Sequence, residues 1–222
     1  MSEPRFFSLD YVEHAVLRDG TPVRLRLVRP GDKDVLRTGF DRLSPEARYA
    51  RFLAPKSSLS EEELRYLCEV DHENHVAIGA VLDGDATSAP VGLGIARFIR
   101  LSDPPNTAEA AIAVADEAQH RGLGRLLFLR LLGAATERGI ERFRCEVLGS
   151  NSGMAGLLAQ ISPDRSVEVG SGVMSIEIAL PQVTPTQPPI GEPLQSPIYR
   201  LFRAVAQNAV EWSGAVRSLW RR

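Results

Sequence analysis

The chain has 222 residues, a formal net charge of −2, 44% hydrophobic and 24% charged residues, and two cysteines. This composition is ordinary for a protein with a sizeable core, and the charge argues against a nucleic-acid binder, which is normally strongly basic. Two cysteines are too few for a disulfide framework and fit a reducing cytosol. Because the first 16 residues lack a signal-peptide core and no run of about 18 apolar residues exists, we expect a cytoplasmic protein.

Three helices are predicted in the first third of the chain from their N-terminal residues. Asp32 follows the helix-breaking pair Pro30-Gly31 and is placed to cap a helix that ends near Leu43. Ser44 is followed by a proline, the residue favoured at the first helical position. Ser60 precedes three glutamates in a capping-box pattern, which predicts a helix to about residue 69.

Seven apolar or alternating segments predict a mixed, mostly antiparallel sheet. They are residues 22–28, 76–82, 91–99, 108–115, 143–148, 167–169 and 173–180. The second and third are separated by a turn-rich segment and read as an antiparallel hairpin. An apolar helix over residues 122–138, ended by Gly139, joins the fourth to the fifth. A right-handed crossover makes these two strands parallel or lets them splay apart. Residues 1–20 show little pattern, so we expect a loose lead-in.

The composition changes after the last predicted strand. Residues 181–197 are rich in proline and nearly uncharged, which predicts an extended linker. Residues 198–222 place their apolar side chains within a stripe of about 100° of a helix and carry five arginines against Glu211. This basic amphipathic helix is suited to docking on the chain's own domain, to self-association, to a partner protein or to an anionic membrane surface.

The segment from Gln119 to Gly124 lies between the predicted central strand and its helix, and reads Gln-His-Arg-Gly-Leu-Gly. A loop at a helix N-terminus points backbone N–H groups outward, and the helix dipole adds partial positive charge. Gly122 and Gly124 allow a pyrophosphate to approach the backbone where a Cβ would obstruct it. The sequence therefore predicts a phosphate-binding loop.

Two common phosphate loops are excluded for this segment. The chain has no Gly-x-x-x-x-Gly-Lys-Ser/Thr motif, and Leu127 takes the place of the third glycine in the dinucleotide fingerprint. The remaining Gln/Arg-x-x-Gly-x-Gly/Ala pattern resembles the acyl-CoA pyrophosphate loop of the GNAT acetyltransferase superfamily. This resemblance implies an α/β GNAT fold, acetyl-CoA as the acyl donor and no metal. The cofactor-binding residues that it implies are Gln119, His120, Arg121, Gly122, Leu123 and Gly124.

Four segments are similar, more narrowly, to the bacterial Pat-type protein lysine acetyltransferases. They are residues 43–52 (LSPEARYARF), 70–77 (VDHENHVA), 108–124 (AEAAIAVADEAQHRGLG) and 147–154 (VLGSNSGM). The resemblance spans residues 21–180, which we expect to be the acetyltransferase domain. It implies acetylation of lysine side chains of proteins by direct attack on the thioester.

The central strand carries further candidate site residues. Ala111, Ile112 and Ala113 can present backbone groups to the pantetheine arm, and in the family a bulge there makes the strand splay from its neighbour. Glu109 begins the strand well away from the loop, and the matching glutamate of Pat-type proteins is the general base. Asn151 matches a residue that helps to hold the cofactor arm.

One departure from the superfamily keeps other interpretations of the function open. Residues 152–160 contain no tyrosine, the general acid of many superfamily members, so the proton donor for the leaving thiolate is unassigned. The alternatives are acetylation of a small amine and a catalytically silent acyl-CoA-sensing module that engages a partner through its tail.

His72 and His75 form a His-x-x-His pair typical of zinc sites, but no further ligands cluster nearby. We therefore expect a packing role for His75.

Overall fold

The structure is a computed structural model that describes residues 5–82 and 90–180, which fold around one mixed sheet of eight strands. The strands are β1 (Val12–Val16), β2 (Pro22–Leu27), β3 (His75–Leu82), β4 (Val91–Arg100), β5 (Thr107–Val114), β6 (Arg142–Leu148), β7 (Ser166–Gly170) and β8 (Val173–Ala179). The helices are α1 (Lys33–Asp41), α2 (Pro45–Phe52), α3 (Glu61–Cys68), α4 (Leu123–Thr136) and α5 (Ser152–Ile161). Short 3-10 helices at Pro30–Asp32 and Asp116–Ala118 precede α1 and α4.

The strand order across the sheet is β1-β2-β3-β4-β5-β6-β8-β7. Neighbouring strands are antiparallel except β5 and β6, which are parallel because α4 crosses between them. The predicted mixed, mostly antiparallel sheet is therefore confirmed. Helix α4 is apolar on most of its surface, and its Phe128 meets Phe143 of β6, which in turn meets Phe98 of β4. This aromatic cluster joins the crossover helix to the centre of the sheet.

The loose lead-in predicted for residues 1–20 is wrong, because this segment contains strand β1. It pairs with β2 over five residue pairs, from Val12–Arg26 to Val16–Pro22. Both valines are exposed, whereas Glu13 faces inward and its carboxylate accepts a hydrogen bond from Nε of Arg130 at 2.7 Å. The two valines thus point outward while Glu13 points inward. The usual pattern of buried apolar and exposed polar residues in a strand is therefore missing from the sequence.

Two of the three predicted helix caps are confirmed. The hydroxyl oxygen of Ser44 accepts a hydrogen bond from the Ala47 N–H, and Ser60 forms a complete capping box with Glu63. The predicted side-chain cap at Asp32 is wrong, although α1 does begin directly after it. Its carboxylate instead pairs with both terminal nitrogens of Arg26 at 2.6 Å. A bidentate arginine partner is stronger than a neutral N–H donor.

The predicted proline-rich linker (residues 181–197) and basic amphipathic helix (residues 198–222) lie outside the described residues. Strand β8 ends beside the chain's last described residue, Leu180, whose N–H donates to the carbonyl of Glu141. The fold that positions the candidate site is therefore contained in the segment between Phe7 and Leu180.

Candidate functional site

The sheet opens between β5 and β6. These strands pair only over Thr107–Glu109 and Arg142–Arg144, and then diverge. Beyond Glu109, from Ala110 to Val114, β5 still pairs with β4 on one side. Its other edge, the one that faces β6, is paired with no strand of the described chain. A cleft of about 1260 Å³ fills the opening, bounded by β5, α2, the segment 116–125 and the end of β6 with α5. The splay predicted from the crossover is thus present.

The splay arises without the bulge that the family resemblance implied. The register of β5 against β4 is unbroken from the pair Val114–Gly94 to the pair Ala108–Arg100. The divergence therefore comes from β6 turning away rather than from an extra residue in β5. Ala111, Ile112 and Ala113 all line the cleft on this regular strand.

The segment after β5 forms the loop that the sequence predicted. His120 and Gly122 adopt left-handed backbone conformations, with φ of 60° and 89°, and Gly122 sits at the N-cap of α4. Among the described residues, no acceptor serves the backbone N–H groups from His120 to Arg125. Six donors at a helix N-terminus, all without a protein partner there, make a site with strong preference for an anion.

The side chains of this loop divide into two groups. Gln119 donates from Nε2 to the carbonyl of Val114 at 3.2 Å and to Asp116 at 3.0 Å. Arg121 pairs with Asp19 at 2.7 Å, and the side chain of Leu123 is fully buried. These side chains hold the shape of the loop. Gln119 also lines the cleft, as do His120, Gly122, Gly124 and Arg125.

Arg18 also lines the cleft at this end, and sequence reasoning missed it. Its Nε lies 3.4 Å from the position that a Cβ on Gly122 would take, and its backbone N–H donates to the carbonyl of Arg121 at 3.2 Å. The residue follows β1, in the segment that showed no pattern. It adds a guanidinium beside the free N–H groups of the loop.

Asn151 lies on the opposite wall of the cleft, at the N-cap of α5. Its Oδ1 accepts a hydrogen bond from the N–H of Met154 at 3.0 Å. The cap fixes the orientation of the amide, because only the oxygen can accept. The Nδ2 group is therefore left as a donor with no acceptor among the described residues.

Glu109 is exposed and is the last residue of β5 that pairs with β6, where its register partner is Arg144. The cleft lining begins one residue later, at Ala110. Five residues of strand separate Glu109 from Val114, a distance of roughly 17 Å at the usual rise of a strand. The carboxylate of Glu109 thus lies where β5 and β6 part. The anion-binding loop lies at the other end of the open edge of β5.

Arg51 of α2 brings positive charge to the Glu109 side of the cleft, and it too was missed as a site residue. Its Cζ lies 5.1 Å from the centroid of the Phe52 ring, and its guanidinium makes no hydrogen bond to another described residue. Burial lowers the pKa of Arg51, and the neighbouring carboxylate of Glu109 opposes this shift. The two side chains therefore interact electrostatically at the base of the opening.

The other residues considered from the sequence are packed in the structure. Nε2 of His75 accepts a hydrogen bond from Arg97 at 2.8 Å, and its ring rests against Tyr66, so His75 has the packing role expected. Cys145 is buried in β6. Within residues 5–82 and 90–180, no three histidine, cysteine or acidic side chains converge as metal ligands. In the same ranges, no helix combines the length and apolarity needed to span a bilayer.

Comparison with known proteins identifies the family. A model of the acetyltransferase (GNAT) family matches residues 42–161, just over half of the chain, and covers the segment from α2 to α5. The chain belongs to the GNAT family of acetyltransferases.

Two relatives are similar to this GNAT acetyltransferase in sequence, and a more distant structure shares its fold. Acetyltransferase Pat of Mycolicibacterium smegmatis is 31% identical over 193 residues, which cover 86% of this chain and 56% of that protein. The chain thus spans little more than half the length of this relative. The crystal structure of the GNAT domain of S. lividans PAT has a TM-score of 0.67 at 28% identity, over 76% of this chain and 97% of that one. The fold is also shared with yncA from Salmonella typhimurium, solved with its cofactor acetyl-CoA (TM-score 0.56, 16% identity, 74% of this chain and 98% of that one).

The predicted GNAT fold and membership of an acetyltransferase family, whose acyl donor is acetyl-CoA, are therefore confirmed. The described residues fit this donor. The loop offers N–H groups that have no acceptor in the described chain, and Gly124 leaves its approach open, since a Cβ there would meet only Val114 at 3.7 Å. The uncovered edge of β5 offers backbone groups to an extended amide-containing arm.

Proposed function

We propose that this acetyltransferase modifies the ε-amino groups of lysine side chains in proteins, with Glu109 as the general base. The observation that carries the proposal is the position of Glu109, an exposed carboxylate at the residue where β5 and β6 part. It stands at the opposite end of the open strand edge from the anion-binding loop. The similarity to Acetyltransferase Pat and to the GNAT domain of S. lividans PAT supports the choice of acceptor.

In this proposal the loop and the strand hold the donor. The N–H groups from His120 to Arg125 bind the pyrophosphate, and the side chains of Arg18, His120 and Arg125 add positive charge. Backbone groups of residues 111–113 meet the pantetheine arm, and Nδ2 of Asn151 donates to it from the opposite wall. When bound, acetyl-CoA supplies an acyl group activated as a thioester. Gln119 and Arg121 contribute by keeping the loop in its binding conformation.

Glu109 supplies what the acceptor lacks at neutral pH. A lysine ammonium has a pKa near 10.4, so only about one amine in 2,500 is unprotonated at pH 7. A carboxylate beside the attacking nitrogen accepts the proton, directly or through a water molecule, and such a base typically contributes about 10²–10⁴ in rate. The positive charge of Arg51 offsets part of the negative charge of this carboxylate.

The test incubates the full chain with radiolabelled acetyl-CoA and a cell lysate, then separates protein from small molecules. We expect label in the protein fraction, mapped by mass spectrometry to lysine Nε atoms, and none with heat-inactivated enzyme. Label confined to small molecules would replace the proposal with acetylation of a small amine. A chain that binds acetyl-CoA and transfers nothing would instead be a catalytically silent sensing module.

A further inference from the structure

A second cavity lies behind the cleft, between the sheet and the helical segment that contains α1, α2 and α3. Its volume is about 90 Å³, several times the space that one water molecule needs and more than the voids usual in a packed core. Apart from Arg26, Asp32, Arg51 and Arg97, every lining residue is apolar or glycine. A cavity of this composition favours hydrocarbon over water.

The cavity adjoins the cleft. Leu43, Arg51 and Ala113 belong to the walls of both. Ala113 lies on the strand edge along which the donor arm extends, and Arg97, which lines the cavity, is the register partner of Ala111. The cavity therefore borders the cleft at the open edge of β5, and its other end lies at α1.

Glycines keep this space empty. Gly39 of α1 faces Gly92 of β4, where a Cβ on Gly39 would lie 3.7 Å from the carbonyl oxygen of Gly92. On β3, a Cβ on Gly79 would meet only the side chain of Val28, at 3.6 Å. A Cβ at either position would make only ordinary van der Waals contacts. Small residues on three neighbouring elements thus leave a chamber that larger apolar side chains would fill.

We propose that this cavity accepts the hydrocarbon chain of acyl donors longer than acetyl, such as butyryl-CoA. Each methylene that leaves water for an apolar cavity raises affinity about fourfold, so the two extra methylenes of butyryl predict a preference of about 15-fold over acetyl-CoA. The inference depends on acyl-CoA as donor and not on lysine as acceptor, so it stands or falls separately from the proposed function.

The test measures affinities for acetyl-CoA and butyryl-CoA by calorimetry, with no acceptor present. Wild type is expected to bind butyryl-CoA about 15-fold more tightly. Gly79→Val and Gly39→Val, which fill the cavity from β3 and α1, should remove this preference and keep the acetyl-CoA affinity. Gly170→Val, on the exposed strand β7 with open space around its Cβ, is the matched control and should retain the preference.

Two results would overturn the inference. The first is a wild-type protein that binds butyryl-CoA no more tightly than acetyl-CoA. The second is an unchanged affinity ratio in whichever cavity variant keeps the wild-type circular dichroism spectrum. Because the two substitutions lie on different elements, a folding defect in one leaves the other to decide.

Discussion

Arg97 and His75 form a buried polar pair behind the cleft. Arg97 donates to Nε2 of His75 and to the carbonyl of Leu67. An arginine offers only donors, so Nε2 must be unprotonated. Burial lowers the pKa of His75 to about 4, and the charge of Arg97 adds to this effect, while Asp71 opposes it. Burial also lowers the pKa of Arg97 to about 9, which leaves it charged at neutral pH.

This pair predicts a loss of stability in acid. Below pH 6.5 the unfolded chain protonates His75 whereas the folded chain does not, so the free energy of unfolding falls as the pH drops from 6.5 to about 4. The fall in pKa corresponds to about 3 kcal/mol, and because the ring is partly exposed and solvent screens its charge we expect about 2 kcal/mol, measured by urea denaturation across that range. His75→Gln keeps an acceptor for Arg97 without a titratable group and should flatten the curve. The same change at the exposed His14 is the control, and parallel curves for His75→Gln and wild type would contradict the assignment.

Two arginines show what residue-level sequence reasoning could not reach. Arg18 joins the cleft only because β1 and its turn pack beside the loop, 100 positions later in the chain. Arg51 belongs to a motif that resembled the family, but its spacing says nothing about Glu109, which lies on another element. Charged residues that come together only through tertiary packing produce no local pattern in the sequence. The loop was readable because its function depends on consecutive backbone groups.

At the scale of elements, the N-terminus of α4 determines the donor end of the cleft. The helix presents free N–H groups, and Gly124, its second residue, lines the cleft with little around it. Gly122 is a less clear test position, because its φ of 89° disfavours any other residue whatever the space.

Gly124→Val is therefore predicted to abolish donor binding without unfolding the protein. The helical backbone accepts valine at a cost below about 1 kcal/mol, but the branched side chain occupies the approach to the loop N–H groups. We expect the acetyl-CoA affinity to fall about 100-fold in calorimetry, with little change in melting temperature. Gly170→Val again serves as control. Equal affinity in Gly124→Val and wild type would remove the loop from the donor site.

Local signals explain which elements were predictable. Ser44 and Ser60 cap their helices as expected because the caps need only neighbouring residues. Asp32 failed as a cap because a competing partner, Arg26, comes from the adjacent strand. β1 was missed because its inward residue is a glutamate neutralised by Arg130 of α4. In both cases an ion pair with a residue of another element outweighed the local rule.

At the scale of the described fold, the cleft lies where the sheet opens between β5 and β6. Antiparallel pairing continues through β5 on one side and through β6 and β8 on the other, while the parallel contact between the halves lasts only three residue pairs. The crossover rule predicted that β5 and β6 would be parallel or splayed. It could not predict that pairing ends at Glu109, because the end of pairing depends on how β6 leaves the sheet. The geometry thus gives Glu109 a position that its sequence context only suggested.

The most direct test of the account is the rate of Glu109→Gln as a function of pH, measured with a lysine-containing protein acceptor. We predict an unchanged acetyl-CoA affinity and a kcat lowered about 10²–10⁴-fold at pH 7. The rate should partly recover as the pH rises towards 10 and free amine accumulates. Glu146→Gln, which removes a carboxylate from the lining of the cleft, should keep the wild-type rate. A Glu109→Gln enzyme as fast as wild type at pH 7 would contradict the assignment of Glu109 as the base.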